Sequence, residues 1–147
     1  MKKAIIVDID GTLADVSHRV HHVETDNKNW DKFHKSSCYD KVNLWCLELM
    51  WALHEKDFSI VLLTGRDDQY LDITLSWLKE KKIPYDDLFM REMEDTRSDD
   101  MVKKDFYLNK IKSKYDVLFV IEDRKSVVKM WRDELHIPCL QCDWGDF

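Results

Sequence analysis

Glycine and proline are scarce in this chain: three glycines and two prolines among 147 residues. No stretch therefore reads as a flexible linker or a low-complexity tail, and no internal repeat is present. At roughly 100–200 residues per domain the chain is expected to form one domain, residues 1–147. Long apolar runs are missing too. None approaches the ~18 residues that a membrane span needs. The apolar stretch after Met1-Lys2-Lys3 stops at Asp8, short of a secretion signal's apolar core of about 7–15 residues. The expected compartment is the cytoplasm. Cysteine is sparse and irregular: Cys38, Cys46, Cys139 and Cys142 do not space like a disulfide framework. Cys139 and Cys142 make a CxxC, but a late strand carries it, so core cysteines are the plainer reading than zinc or redox chemistry. Positive charge is in deficit, 23 Lys and Arg against 29 Asp and Glu for a net charge of −6. That disfavours broad attraction to nucleic acid and leaves room for one terminal phosphate in a local basic cluster.

What is present is an alternation of apolar runs and amphipathic stretches. Ala4 to Asp8 reads as a strand, followed by a polar, His-rich segment from Ala14 to about Asp40. Val42, Trp45, Leu49 and Leu53 recur at helical spacing to about Glu55, and Phe58 to Leu63 is a continuous apolar strand. Leu71, Leu75 and Leu78 mark a helix that stops before Pro84, and Leu88 to Met90 a short strand. Val102, Phe106 and Ile111 predict a helix capped by Asp99 or Asp100. Val117 to Ile121 predicts the fourth strand, Val127, Val128, Trp131 and Leu135 the last helix, and Cys139 to Cys142 a fifth strand. Continuous apolar strands separated by helices argue for a doubly wound α/β fold, a parallel sheet of about five strands covered on both faces. An insertion after strand one, at about residues 14–57, is expected to form a small cap.

In such sheets ligands sit beyond the carboxyl ends of the strands. Polar clusters stand there: Asp8, Asp10 and Thr12 after strand one, Thr64, Gly65 and Arg66 after strand two, Glu122, Asp123 and Arg124 after strand four. Two carboxylates two positions apart, at the end of a buried strand and before a glycine turn, repel one another unless something binds them. A divalent cation and phosphoryl chemistry relieve that cost, so Asp8-Ile9-Asp10-Gly11-Thr12 points to a Mg²⁺-dependent phosphoryl-transfer site.

The order Asp-x-Asp-Gly-Thr, Thr-Gly-Arg, a helix-borne lysine and an acidic pair resembles the haloacid dehalogenase superfamily of phosphohydrolases. More narrowly, Met90-Arg91-Glu92, Asp95-Thr96-Arg97, Asp99-Asp100-Met101-Val102-Lys103, Glu122-Asp123-Arg124, Val128-Lys129-Met130-Trp131-Arg132 and Gly145-Asp146-Phe147 resemble the 3′-phosphatase domain of phage polynucleotide kinase-phosphatase. The match runs almost end to end and is weakest from about Val20 to Asp40.

The resemblance implies Asp8 as the nucleophile that forms an aspartyl-phosphate and Asp10 as the acid, then base. It implies Mg²⁺ on Asp8, the backbone carbonyl of Asp10, and Asp123, with Glu122 direct or through water. Glu122 departs from the two aspartates of the phage enzyme and leaves open which acid touches the metal. Thr64 would contact a phosphate oxygen and Lys103, favoured over Lys104 by its spacing from Asp99-Asp100-Met101-Val102, would neutralise developing charge. Thr12, Arg19, Gly65, Arg66 and Asp99 complete the expected substrate contacts. For Asp99 a simple helix cap is an equal alternative, and Arg91 and Arg97 read equally as surface arginines. His18, His21, His22, Trp30 and Phe33 fall in the cap, where rings can stack on a base or simply pack.

The function expected is a Mg²⁺-dependent phosphomonoesterase acting on a 3′-phosphate of a nucleic acid end or nucleotide. Alternatives are a small-molecule or mononucleotide phosphatase and, more remotely, a non-catalytic binding module. A signalling receiver would place its aspartate after the third strand, where Leu88-Phe89-Met90-Arg91 offers none. No Gly-x-x-x-x-Gly-Lys-Ser/Thr loop occurs, so this chain carries no P-loop kinase site.

Overall fold

The computed structural model describes residues 1–145; Asp146 and Phe147, the end of the Gly-Asp-Phe match, lie outside the described residues. Strand β1 (Lys2–Val7) is central in a five-stranded sheet with β4 (Ser59–Asp67), β5 (Asp87–Arg91), β6 (Tyr115–Glu122) and β7 (Cys139–Gln141). The order is β5-β4-β1-β6-β7, and every pairing is parallel. Continuous apolar runs are needed because each central strand is buried on both faces. Ile5, Val7, Ile60, Leu62 and Ile121 enter one core cluster. Their neighbours Ala4, Ile6, Val61, Leu63 and Val120 enter the other. The doubly wound α/β architecture is as the sequence leads one to expect.

Helices α2 (Leu44–Glu55) and α3 (Leu71–Glu80) cover the first face through Cys46, Met50, Trp77 and Leu78. On the second lie α4 (Asp99–Phe106) and α5 (Lys125–Lys129), with Val127, Val128, Met130 and Trp131 in the core. The periodicity predicts uninterrupted helices to Ile111 and Leu135. Instead, each passes into a wider π turn, over Tyr107–Ile111 and Met130–Glu134. The Lys112 amide donates to the Tyr107 carbonyl at 2.8 Å and that of Leu135 to Met130 at 3.2 Å, five residues back in both cases. Cys139 sits in the second cluster, and all four cysteines are free thiols.

Between β1 and α2 the chain forms a small unit of its own. Two short strands, β2 (Ala14–Asp15) and β3 (Lys41–Val42), pair antiparallel and close it at its base. Its one α-helix, α1 (Trp30–Lys35), is capped by the Asn29 side chain, which accepts from the Lys32 amide at 3.1 Å. Val16, Val23 and Phe33 are its apolar centre. α2, which follows, lies on the sheet rather than in this unit. Among the described residues no helix is long and apolar enough to cross a membrane.

Candidate active site

The site is built on the loop after β1. The Asp8 amide prolongs the ladder by donating to the Ile121 carbonyl at 3.1 Å, and Ile9 is fully buried. The chain then folds back, with the Thr12 and Ala14 amides both donating to the Ile9 carbonyl. Gly11 turns it with φ +84°, and a Cβ there would lie 2.2 Å from Asp123 Oδ2. The other two glycines are pressed just as closely. A Cβ on Gly145 would lie 2.3 Å from Asp123 Oδ2, and one on Gly65 2.1 Å from Asp99 Oδ1.

Asp8, Glu122 and Asp123 are buried and offer carboxylate oxygens all within 4.8 Å of one another. Lys103 Nζ donates to Asp8 Oδ1 at 2.9 Å and Glu122 Oε2 at 2.7 Å. Glu122 Oε1 accepts from the Asp123 and Arg124 amides, each at 3.2 Å. The Thr12 hydroxyl lies 3.2 Å from Asp8 Oδ2 and 3.3 Å from Asp123 Oδ1. Burial disfavours the charge on Lys103, but Asp8, Asp99 and Glu122 outweigh it and hold the ammonium charged. For the two acids after β6, burial and then the Asp8 charge push Glu122 up to about 8 and Asp123 up to about 10.

The charge count shows what the cluster suits. Asp8, Asp10, Asp40, Glu122 and Asp123 are buried, against the buried cations Arg19, Arg66 and Lys103. Ionised together, the five acids would exceed the three cations by two charges; protons on Glu122 and Asp123 relieve that excess without metal, and a small divalent cation on these hard oxygen donors would take their place. Glu122 takes donors on both oxygens, whereas the donor that the described residues offer the Asp123 carboxylate is the Thr12 hydroxyl at 3.3 Å. Of Glu122 and Asp123, Asp123 therefore has the carboxylate better placed to reach a cation beside Asp8.

Asp10 lines the same cavity as that cluster. Its Oδ1 accepts from Arg19 Nη2 and Arg66 Nη2, both at 2.5 Å. Burial would raise its pKa, but the two guanidiniums win and hold the carboxyl well below the usual carboxylate range. Arg66 is fixed by Thr74, whose hydroxyl accepts from Nη1 at 2.8 Å, and Arg19 by Asp40 and the Phe33 carbonyl. His34 Nδ1 lies 4.0 Å from Asp10 Oδ2. Burial, then Arg66 and Arg19 against the opposing pull of Asp10, lower its pKa to about 4, so the imidazole is neutral.

A cavity of about 440 Å³ joins these groups, with Asp8, Asp10, Thr64, Arg66, Asp99 and Asp123 on its wall. Three buried polar atoms of lining residues have no hydrogen-bond partner among the described residues: Arg66 Nε, Asp99 Oδ1 and His34 Nδ1. Orphaned donors and acceptors around one concavity are what a polar ligand satisfies.

The sequence-predicted residues thus converge, with differences of depth. Asp8, Asp10, Thr64, Gly65, Arg66, Asp99, Glu122 and Asp123 line the cavity. Lys103 is buried behind Asp8, while Lys104 pairs on the surface with Glu134 at 2.9 Å. Thr12 and Arg19 are fully buried and do not line the cavity; Thr12 bonds Asp8 and Asp123, and Arg19 bonds Asp10 and Asp40. Arg91 is no surface arginine. Its Nε donates to the Gly65 carbonyl at 2.9 Å and its Nη1 to that of Asp95 at 3.0 Å, stapling the loop before α4. Asp99, besides starting α4, faces Lys103 at 3.5 Å and Arg91 and Arg124 at 3.6 Å each. His34 and Asp40 carry no motif; their one signal in the sequence is an acid and a histidine inside a cap segment with no apolar period.

A profile for the polynucleotide kinase PNKP phosphatase domain matches residues 2–147. A protein of Autographa californica nuclear polyhedrosis virus, named as a bifunctional polynucleotide kinase/RNA ligase, is 32% identical over 140 residues. That alignment covers 92% of this chain and 18% of the viral protein. A chain in the solved structure of the Pnkp1/Rnl/Hen1 complex superposes with a TM-score of 0.87 at 35% identity, over all of this chain and 48% of that one. The chain thus spans about half or less of the length of these relatives. The class C acid phosphatase of Bacillus anthracis shares the fold, with a TM-score of 0.73 at 15% identity over 99% of this chain and 68% of that one. With its five-stranded parallel sheet, small insertion after β1 and acid cluster at the strand ends, the chain belongs to the phosphatase-domain family of polynucleotide kinase-phosphatase, of the haloacid dehalogenase type.

Proposed function

We propose that this chain removes the 3′-phosphate from a nucleic acid end through a covalent aspartyl-phosphate on Asp8. One observation carries the reading: Asp8 lies on the wall of a cavity beside the buried Lys103 and Asp123, and shares that wall with Thr64, Arg66 and Asp10. A Mg²⁺ ion held by Asp8 and Asp123 supplies charge neutralisation and orientation for the phosphate.

Asp8 attacks phosphorus with the carboxylate oxygen left free by Lys103. The bond from phosphorus to the ester oxygen breaks, and Asp10 gives that oxygen its proton. A water then loses a proton to Asp10 and attacks phosphorus, the bond to Asp8 breaks, and inorganic phosphate leaves. Asp10 is held as an anion while both arginines bond it, so the acid step needs one of them to turn away. Arg66 is the one that faces the cavity and has an orphaned Nε. An incoming phosphate that draws Arg66 off Asp10 raises the proton affinity of that carboxyl as the ester oxygen arrives. Arg19, tied to Asp40, stays.

The nucleic-acid part of the reading is supported by the family and by the names of relatives, which speak of a polynucleotide kinase, an RNA ligase and an RNA repair complex. Such a module would hand a 3′-hydroxyl end to a ligase. The net charge of −6 favours the second reading, a mononucleotide phosphatase. Phosphate release with Mg²⁺ separates them, using 3′- and 5′-phosphorylated oligonucleotides and 3′- and 5′-mononucleotides with Asp8→Asn as the blank. Preference for the 3′-phosphorylated oligonucleotide supports the proposal; preference for mononucleotides replaces it with the second reading.

A further inference from the structure

Trp30 is half-exposed at 39% and lines the same cavity as Asp8 and Asp10. A large aromatic ring left in water on a cavity wall has apolar area to bury. Its packing fixes it in place. One edge meets the buried Phe33 at 86° with ring centroids 5.5 Å apart, and the ring stacks at 24° on His34 with centroids 5.9 Å apart. His34 in turn lies 4.0 Å from Asp10 Oδ2 through a buried Nδ1 that makes no hydrogen bond among the described residues. Asp10, His34 and Trp30 therefore form one continuous wall, from the group that would protonate the leaving oxygen outwards.

Cations flank the indole. Lys28 Nζ lies 5.7 Å from its ring centroid, and the Arg124 guanidinium, which also faces Asp99 at 3.6 Å, lies at 6.0 Å. Despite the net charge of −6, the mouth of the cavity combines an aromatic face with local positive charge. Single-stranded nucleic acid is held by that combination, bases on aromatic faces and backbone beside cations.

We infer that Trp30 is the stacking platform for the terminal nucleobase of the 3′-phosphorylated strand, with His34 beneath the sugar between it and Asp10. The inference rests on the 3′-end reading above. A phosphate on the Asp8 side, an ester oxygen at Asp10 and a base on Trp30 would run along the wall in the order of a nucleotide's own atoms. Trp30 is then a specificity-determining residue, not a catalytic one.

The test compares two 3′-phosphorylated oligonucleotides, identical except that in one the terminal nucleotide lacks its base, with glycerol 2-phosphate as a secondary phosphate ester without a ring. Wild type is expected to prefer the base-bearing end, and in Trp30→Ala that preference in kcat/KM should fall about tenfold or more, the effect of losing one stacked base. Trp30→Phe, which keeps a ring, should retain most of it and guards against loss of the fold. An unchanged preference in Trp30→Ala, or wild type that does not distinguish the two ends, overturns the platform while leaving the 3′-end reading intact. Release from glycerol 2-phosphate but from neither oligonucleotide overturns both.

Discussion

Arg19 and Asp40 are joined twice, Nε to Oδ1 at 2.8 Å and Nη2 to Oδ2 at 2.6 Å, and the same Nη2 reaches Asp10 Oδ1 at 2.5 Å. One fully buried guanidinium thereby ties the end of the cap to the carboxylate after β1. Asp40→Ala leaves that guanidinium with Asp10 as its one carboxylate partner and Nε without an acceptor, and should cost about 1–3 kcal/mol, roughly a 3–10 °C fall in Tm for a chain of this size. Arg19→Met with Asp40→Leu should recover much of the stability and little of the activity, because Asp10 has lost a partner. A melting curve that Asp40→Ala leaves in place would remove the pair from the stability of the fold.

Asp8→Asn should lower kcat at least about 10³-fold, the loss typical of a missing nucleophile. It should also raise the Tm of the metal-free protein at alkaline pH, where Glu122 and Asp123 ionise and the Asp8 charge repels them. A lower metal-free Tm would mean that the Lys103 contact, at 2.9 Å, outweighs the repulsion.

Metal and pH should act on stability together. Glu122 and Asp123, pushed up to about 8 and about 10, bind more protons folded than unfolded. Their contribution is fully present below the ordinary values of 4.5 and 3.8 and is lost as pH rises through about 8 and beyond. Asp10, held low, acts in the opposite sense and only in acid. Metal-free protein should therefore lose Tm between about pH 5 and 9, and millimolar Mg²⁺ should flatten the slope. Parallel curves with and without Mg²⁺ would argue against a cation at this cluster.

The two acids after β6 should separate by role. Asp123→Asn should raise the Mg²⁺ concentration for half-maximal activity tenfold or more, the scale of a lost ligand. Glu122→Gln should lower kcat through a misplaced Lys103 with a smaller change in that concentration. The reverse ranking, read from metal titrations of both variants, would make Glu122 the direct ligand.

The chemistry of the site was legible because it sits at strand ends. Ala4 to Val7 announces a buried strand, and acids directly after it have few structural uses. The same holds for Glu122 and Asp123 at the end of β6, and Thr64 stands where the apolar run of β4 stops. Burial of charge was not legible. Arginine is ordinarily a surface residue, and only the fold shows Arg19 fully enclosed between Asp10, Asp40 and Phe33. His34 was invisible for a related reason, since nothing in a polar cap sequence says which ring turns inward. The π turns at Tyr107 and Met130 are likewise silent, because side chains still meet the core at near-helical spacing when one hydrogen bond slips.

The scarcity of glycine has a consequence of its own. All three glycines of the chain abut a carboxylate of the site, Gly11 and Gly145 against Asp123 and Gly65 against Asp99. They serve as sockets rather than as joints. An alanine scan of the glycines, ordinarily a survey of turns scattered over a fold, becomes in this chain a scan of the catalytic centre by three methyl groups.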